Sequence, residues 1–138
     1  MEIDINKNKA SFIALVKAYV KRDGIDTLMQ SLEKSDFYTA PASTRFHGSV
    51  DGGLCAHSIA VGKQLMALAD LYAPGVYSKE SLVIVALFHD LCKIGVYKRD
   101  TRNVKNEASG NKSLISNLKK TSPTVAMAKK AYSLLWNI

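Results

Sequence analysis

Leu82-Val83-Ile84-Val85-Ala86-Leu87-Phe88-His89-Asp90-Leu91-Cys92 is the stretch that decides the fold. It is apolar on nearly every face, and two readings compete for it. Its Val and Ile content suits a buried strand. Its length favours a helix, as does Ser78, placed to cap it with Lys79 and Glu80 in the first turn. A helix that is apolar all round is a buried one, so this segment is expected at the centre of the fold.

Working outward, Pro74 and Gly75 break an earlier helix over residues 54–72. Its spacing predicts an inward stripe of Leu54, His57, Val61, Leu65, Leu68 and Tyr72. Residues 35–53 hold Pro41, Gly48, Gly52 and Gly53 among Ser and Thr, and read as a long loop of the kind that often carries function. Upstream, residues 25–34 read as a helix through Ile25, Leu28, Met29 and Leu32. Residues 11–22 place Phe12, Leu15, Val16, Tyr19 and Val20 at helical spacing, with Gly24 as the stop. Beyond Tyr97 the pattern weakens, and after Gly110 no element can be placed until residues 125–136. No internal repeat or low-complexity tract occurs, and the class is all-α.

The 138 residues fit one compact domain, and 47% hydrophobic with 22% charged is enough apolar content to exclude wholesale disorder. No apolar run reaches the ~20 residues of a membrane span, and Met1-Glu2-Ile3-Asp4 lacks a signal pattern. Cys55 and Cys92 both lie in apolar surroundings, so reduced thiols and a cytoplasmic location are expected. The net charge of +7 is concentrated in one place. Residues 1–97 balance ten Lys and Arg with ten Asp and Glu, whereas residues 98–138 carry nine against two. Such a tail is either a solvated segment or a grip on nucleic acid.

The chemistry centres on Asp90. An unpaired carboxylate in such apolar surroundings costs several kcal/mol, so it must be neutralised, paired or bound to metal. His89 beside it and His57 on the preceding helix can complete a shell for a divalent metal. Lys93 lies three residues after Asp90 and four after His89, where it can reach a phosphate oxygen. The alternative is plain: His57 as a satisfied core residue, and Asp90 as a helix cap or the partner of Lys93.

His57, then His89-Asp90 and Lys93 in His-Asp-Leu-Cys-Lys, resembles the HD-domain metal-dependent phosphohydrolases. Ser35-Asp36-Phe37-Tyr38-Thr39-Ala40-Pro41-Ala42-Ser43-Thr44, Phe46-His47-Gly48, and Gly52-Gly53-Leu54 with His57-Ser58 extend the likeness to small HD hydrolases of bacteria and their phages. The Gly-Gly-Leu-x-x-His-Ser segment also resembles the HD portion of a bacterial exoribonuclease family. The similarity covers about residues 11–107. It implies a helical HD bundle over residues 1–110 in which His57, His89 and Asp90 hold a divalent metal. Manganese, magnesium, iron and zinc all suit such a mixed site. It further implies that Lys93 steadies a phosphate while an activated water attacks phosphorus, with Asp90 and Lys93 as the catalytic pair. The substrate implied is a nucleotide or a phosphodiester of nucleic acid. His47 is a candidate for a second metal or a substrate contact. Arg45 and Arg102 are phosphate candidates by charge alone.

The family pattern needs a final Asp on a later helix, and after Asp90 this chain has only Asp100. Relatives continue with Gly-His-Gly-Glu-Lys-Ser, which is missing. Val125 to Ala131 can be written GTG GCC ATG GCG AAA AAA GCG, and dropping two bases turns it into codons for Gly-His-Gly-Glu-Lys-Ser. The same offset allows Glu-Phe-Glu-Glu-Asp-Phe-Pro within residues 116–123. Residues 111–138 are thus expected to be a basic tail translated out of frame. A site lacking its last ligand should hold metal loosely, and parts of residues 54–72 and 82–91 should face water as an association-prone patch. A helix over residues 126–136 would cover some of it. Two other functions follow from this departure: a catalytically inactive HD remnant, and a nucleic-acid-binding module that uses the tail.

Overall fold

Four α-helices build the body of the protein: α1 (Ile5–Tyr19), α2 (Ile25–Glu33), α3 (Gly53–Tyr72) and α4 (Lys79–Phe88). The computed structural model describes residues 3–44, 48–105 and 112–120. Each helix start has a local cause. Asp4 accepts the backbone N–H of Lys7 at 2.9 Å and begins α1 earlier than the apolar spacing predicts, because a cap can start a helix through the polar run of residues 6–9. Ser78 caps α4 as expected, accepting the backbone N–H of Ser81 at 3.1 Å.

The core forms where α1, α4 and the 35–53 segment meet. The Phe12 ring lies 4.9 Å from Phe37, 5.9 Å from Tyr38 and 5.8 Å from Phe88, in tilted or edge-on contacts. Leu28 and Leu32 of α2 join this cluster fully buried. The predicted loop is therefore irregular yet largely internal, with Phe37, Tyr38, Ala40 and Ala42 all buried. Its backbone is sewn to the start of α3 by Gly52 N–H to Thr39 O and Leu54 N–H to Ala40 O, each 2.9 Å. A Cβ on Gly53 would stand 2.0 Å from the carbonyl oxygen of Gly48, so only glycine allows this approach.

The structure corrects four expectations. The spacing predicts α4 running through Cys92, but the helix ends at Phe88 and the chain tightens into a 3-10 turn at Leu91–Lys93. Cys92 is consequently exposed rather than enclosed in apolar surroundings. The face of α3 that is buried carries Leu54, Cys55, Ser58, Ile59 and Gly62, so the predicted stripe is rotated and its far end, Leu68 and Tyr72, is exposed. Val85 of α4 is also exposed, so that helix is buried on most of its surface but not all round.

After the helices the chain forms an antiparallel pair, β1 (Tyr97–Lys105) and β2 (Lys112–Lys120), with Tyr97 opposite Lys120 and Lys105 opposite Lys112. This hairpin joins residues on both sides of the boundary expected at 110. The helix read over residues 125–136 and the 121–138 part of the tail lie outside the described residues. Leu68, Leu71, Tyr72, Val76, Tyr77 and Val85 face water, as expected for an incompletely covered α3–α4 pair. No helix among the described residues is long and apolar enough to cross a membrane.

Burial separates the two leucine sets. Leu87→Ala, at a side chain only 1% exposed, should cost about 3 kcal/mol in urea unfolding, whereas Leu71→Ala, 69% exposed, should change stability by less than about 0.5 kcal/mol.

Candidate metal centre

α3 and α4 pack side by side, with Gly62 facing Leu87 and Ala86: a Cβ there would stand 3.5 Å from the first and 3.8 Å from the second, in ordinary van der Waals contact. This pairing brings His57, one turn into α3, to the end of α4. His89 is the C-terminal cap of α4, and Asp90 follows it in the bend before the 3-10 turn. Because the helix has ended, His89 and Asp90 need not diverge as helical neighbours do, and their side chains meet.

The meeting point is one oxygen. His89 Nε2 lies 3.4 Å from Asp90 Oδ2, and His57 Nε2 lies 3.5 Å from the same atom. The imidazole rings are 5.3 Å apart, edge to face. The Nδ1–H of His89 donates to the carbonyl of Ala86 at 2.7 Å, which turns Nε2 toward the cluster. The Asp90 side chain is only 15% exposed and the imidazoles are half-buried.

This donor set fits a divalent ion. One ligand atom from each of His57, His89 and Asp90 falls within 4.8 Å of the others. Two donors about 2.1 Å from one tetrahedral ion stand about 3.4 Å apart, which matches the separations from Oδ2. Two neutral nitrogens and a carboxylate oxygen suit borderline and hard divalent ions alike.

Lys93 enters the same cluster. Its Nζ donates to Asp90 Oδ2 at 2.8 Å, so the lysine pairing and the converging imidazoles, alternatives in the sequence, are present together. Arg45 and His47 lie outside the described residues. Arg102 and Asp100 are both on β1. A cavity of about 440 Å³ between α1 and α2, lined in part by Val16, Val20, Met29 and Tyr38, is bordered by none of the four cluster residues.

Sequence reasoning missed two supports of the site. The Ala86 carbonyl that orients His89 lies three residues before it, a spacing readable in principle. Asp36 has no such signal: its Oδ1 accepts the backbone N–H of Gly95 at 2.9 Å, across 59 residues, and ties the segment after Lys93 to the chain beyond α2.

Cys55, on the buried side of α3, takes no part. Burial pushes its thiol from 9.0 to about 12. Tyr38 rises from 10.0 to about 12, mainly by burial, with the charges of Cys55 and Glu33 adding to it. No family model, curated protein or solved structure matches the chain.

Two measurements follow. His57→Ala and Asp90→Ala should each weaken Mn²⁺ binding at least about tenfold by calorimetry, with the helical circular dichroism unchanged. Both raised groups favour the neutral form in the fold, so their contribution is complete below about pH 9 and is lost as pH rises toward 12. Urea midpoints should therefore fall between pH 9 and 11, and less steeply in Cys55→Ala.

Proposed function

We propose that the chain is a metal-dependent phosphohydrolase of the HD type that cleaves a phosphate ester of a nucleotide or nucleic acid. The observation that carries this reading is the convergence of His57 Nε2 and His89 Nε2 on Asp90 Oδ2 with the Lys93 ammonium alongside. The resemblance of His57, His89-Asp90 and Lys93 to the HD pattern supports it. Hydrolytic metal sites typically use three protein ligands and leave a position open, and three is the number of donors grouped here among the described residues.

When bound, a manganese, magnesium, iron or zinc ion would polarise the phosphoryl oxygen and lower the pKa of a water molecule. His57 and His89 would hold it as neutral ligands, with the Ala86 carbonyl fixing the His89 tautomer. Asp90 would contribute the negative charge that keeps a cation in a partly buried site. Lys93 would place a positive charge against the substrate phosphate, and the half-buried setting strengthens that attraction.

A second reading, an HD remnant that no longer turns over substrate, is favoured by one observation. The family pattern requires a further acidic ligand, and among the described residues no fourth His, Cys, Asp or Glu joins the cluster.

Hydrolysis of a nitrophenyl phosphodiester with and without Mn²⁺ distinguishes them. The enzyme should show metal-dependent turnover that falls at least about a hundredfold in His89→Ala and in Asp90→Ala. Metal binding without turnover identifies the remnant, and turnover that survives both substitutions removes the metal mechanism.

A further inference from the structure

Asp90 Oδ2 is claimed twice. It is the oxygen on which both imidazoles converge, and it is also the acceptor of the 2.8 Å bond from Lys93. The backbone makes the second contact: at about three residues per turn, a 3-10 turn eclipses side chains three apart, which sets Lys93 over Asp90. A divalent ion ligated by that oxygen would share it with an ammonium in a site partly shielded from water. Like charges so placed repel strongly. The lysine has somewhere to go, since its side chain is 30% exposed and carried on a flexible four-carbon stem.

We propose that Lys93 is a displaceable counter-cation, which neutralises Asp90 until a divalent ion takes Oδ2 and then turns its ammonium to an anion such as phosphate. The inference rests on the metal-site reading above and goes beyond it: Lys93 is assigned a cost in metal binding as well as a role toward the anion. Two consequences are linked. Lys93 opposes metal binding in the absence of an anion, and it couples metal and phosphate so that each raises the affinity for the other.

The test is calorimetric titration of Mn²⁺ into metal-stripped full-length protein, with and without inorganic phosphate. The variants are Lys93→Met, Lys93→Gln and Lys93→Arg, each checked for native circular dichroism. Lys93→Met and Lys93→Gln should bind Mn²⁺ about tenfold more tightly than the unaltered protein without phosphate. They should also lose most of the gain in Mn²⁺ affinity that phosphate produces. Lys93→Arg, which keeps the charge, should restore both properties. Equal or weaker Mn²⁺ binding in Lys93→Met and Lys93→Gln overturns the counter-cation role while leaving the metal site standing. If the unaltered protein binds Mn²⁺ no better than His57→Ala, the metal reading and this inference fall together.

Discussion

Asp90 is a carboxylate that the fold can hold inside only because positive charge and polar nitrogen surround one of its oxygens. Three nitrogens lie within 3.5 Å of Oδ2, supplied by α3, by the cap of α4 and by the 3-10 turn. An isolated carboxylate with 15% exposure would carry a desolvation penalty that a small domain can ill sustain. The ends of two helices and the turn between helix and hairpin are therefore coupled through a single atom. The cluster is thus at once the element that makes burial of a charge tolerable and the assembly best suited to chemistry.

The frame that delivers these groups is the α3–α4 pair. Gly62 of α3 faces Ala86 and Leu87 of α4, and the aromatic cluster around Phe12 holds α4 through Phe88. Phe88 directly precedes His89, so the packing that buries the ring also limits where the imidazole can point. Asp36 then restrains the exit from the 3-10 turn by holding Gly95. Residues distant in sequence thus hold the chain on both sides of the segment from His89 to Lys93.

Much of this was legible in the residues themselves. Ser78 and the apolar run after it announce α4, and a lone Asp in such a run demands a partner. The phase of α3 was not legible, because the helix is apolar on two sides. Counting hydrophobic positions selects Val61, Leu65 and Leu68, whereas the buried face includes the small Gly62 and Ser58, to which a hydrophobicity count gives no weight. The end of α4 was hidden for a related reason: Leu91 continues the apolar run, yet it is buried from a 3-10 turn. The β1–β2 hairpin had no signal at all, since Tyr97–Lys105 is mostly polar and shows no alternation. The grouping of His57, His89 and Asp90 was suggested by residue type, while the sharing of Oδ2 between Lys93 and both imidazoles depends on the fold.

The contact between Gly48 and Gly53 reaches further than its size suggests. His57 is only four residues beyond Gly53, so whatever sets the start of α3 also sets the height of that imidazole. With no room for even one carbon between the Gly53 position and the Gly48 carbonyl, any side chain there must push the two strands of backbone apart. Side chains added at Gly48, Gly52 or Gly53 would consequently disturb the start of α3, although none of these glycines belongs to the cluster. Variation in this scaffold is better tolerated elsewhere than in that group of glycines.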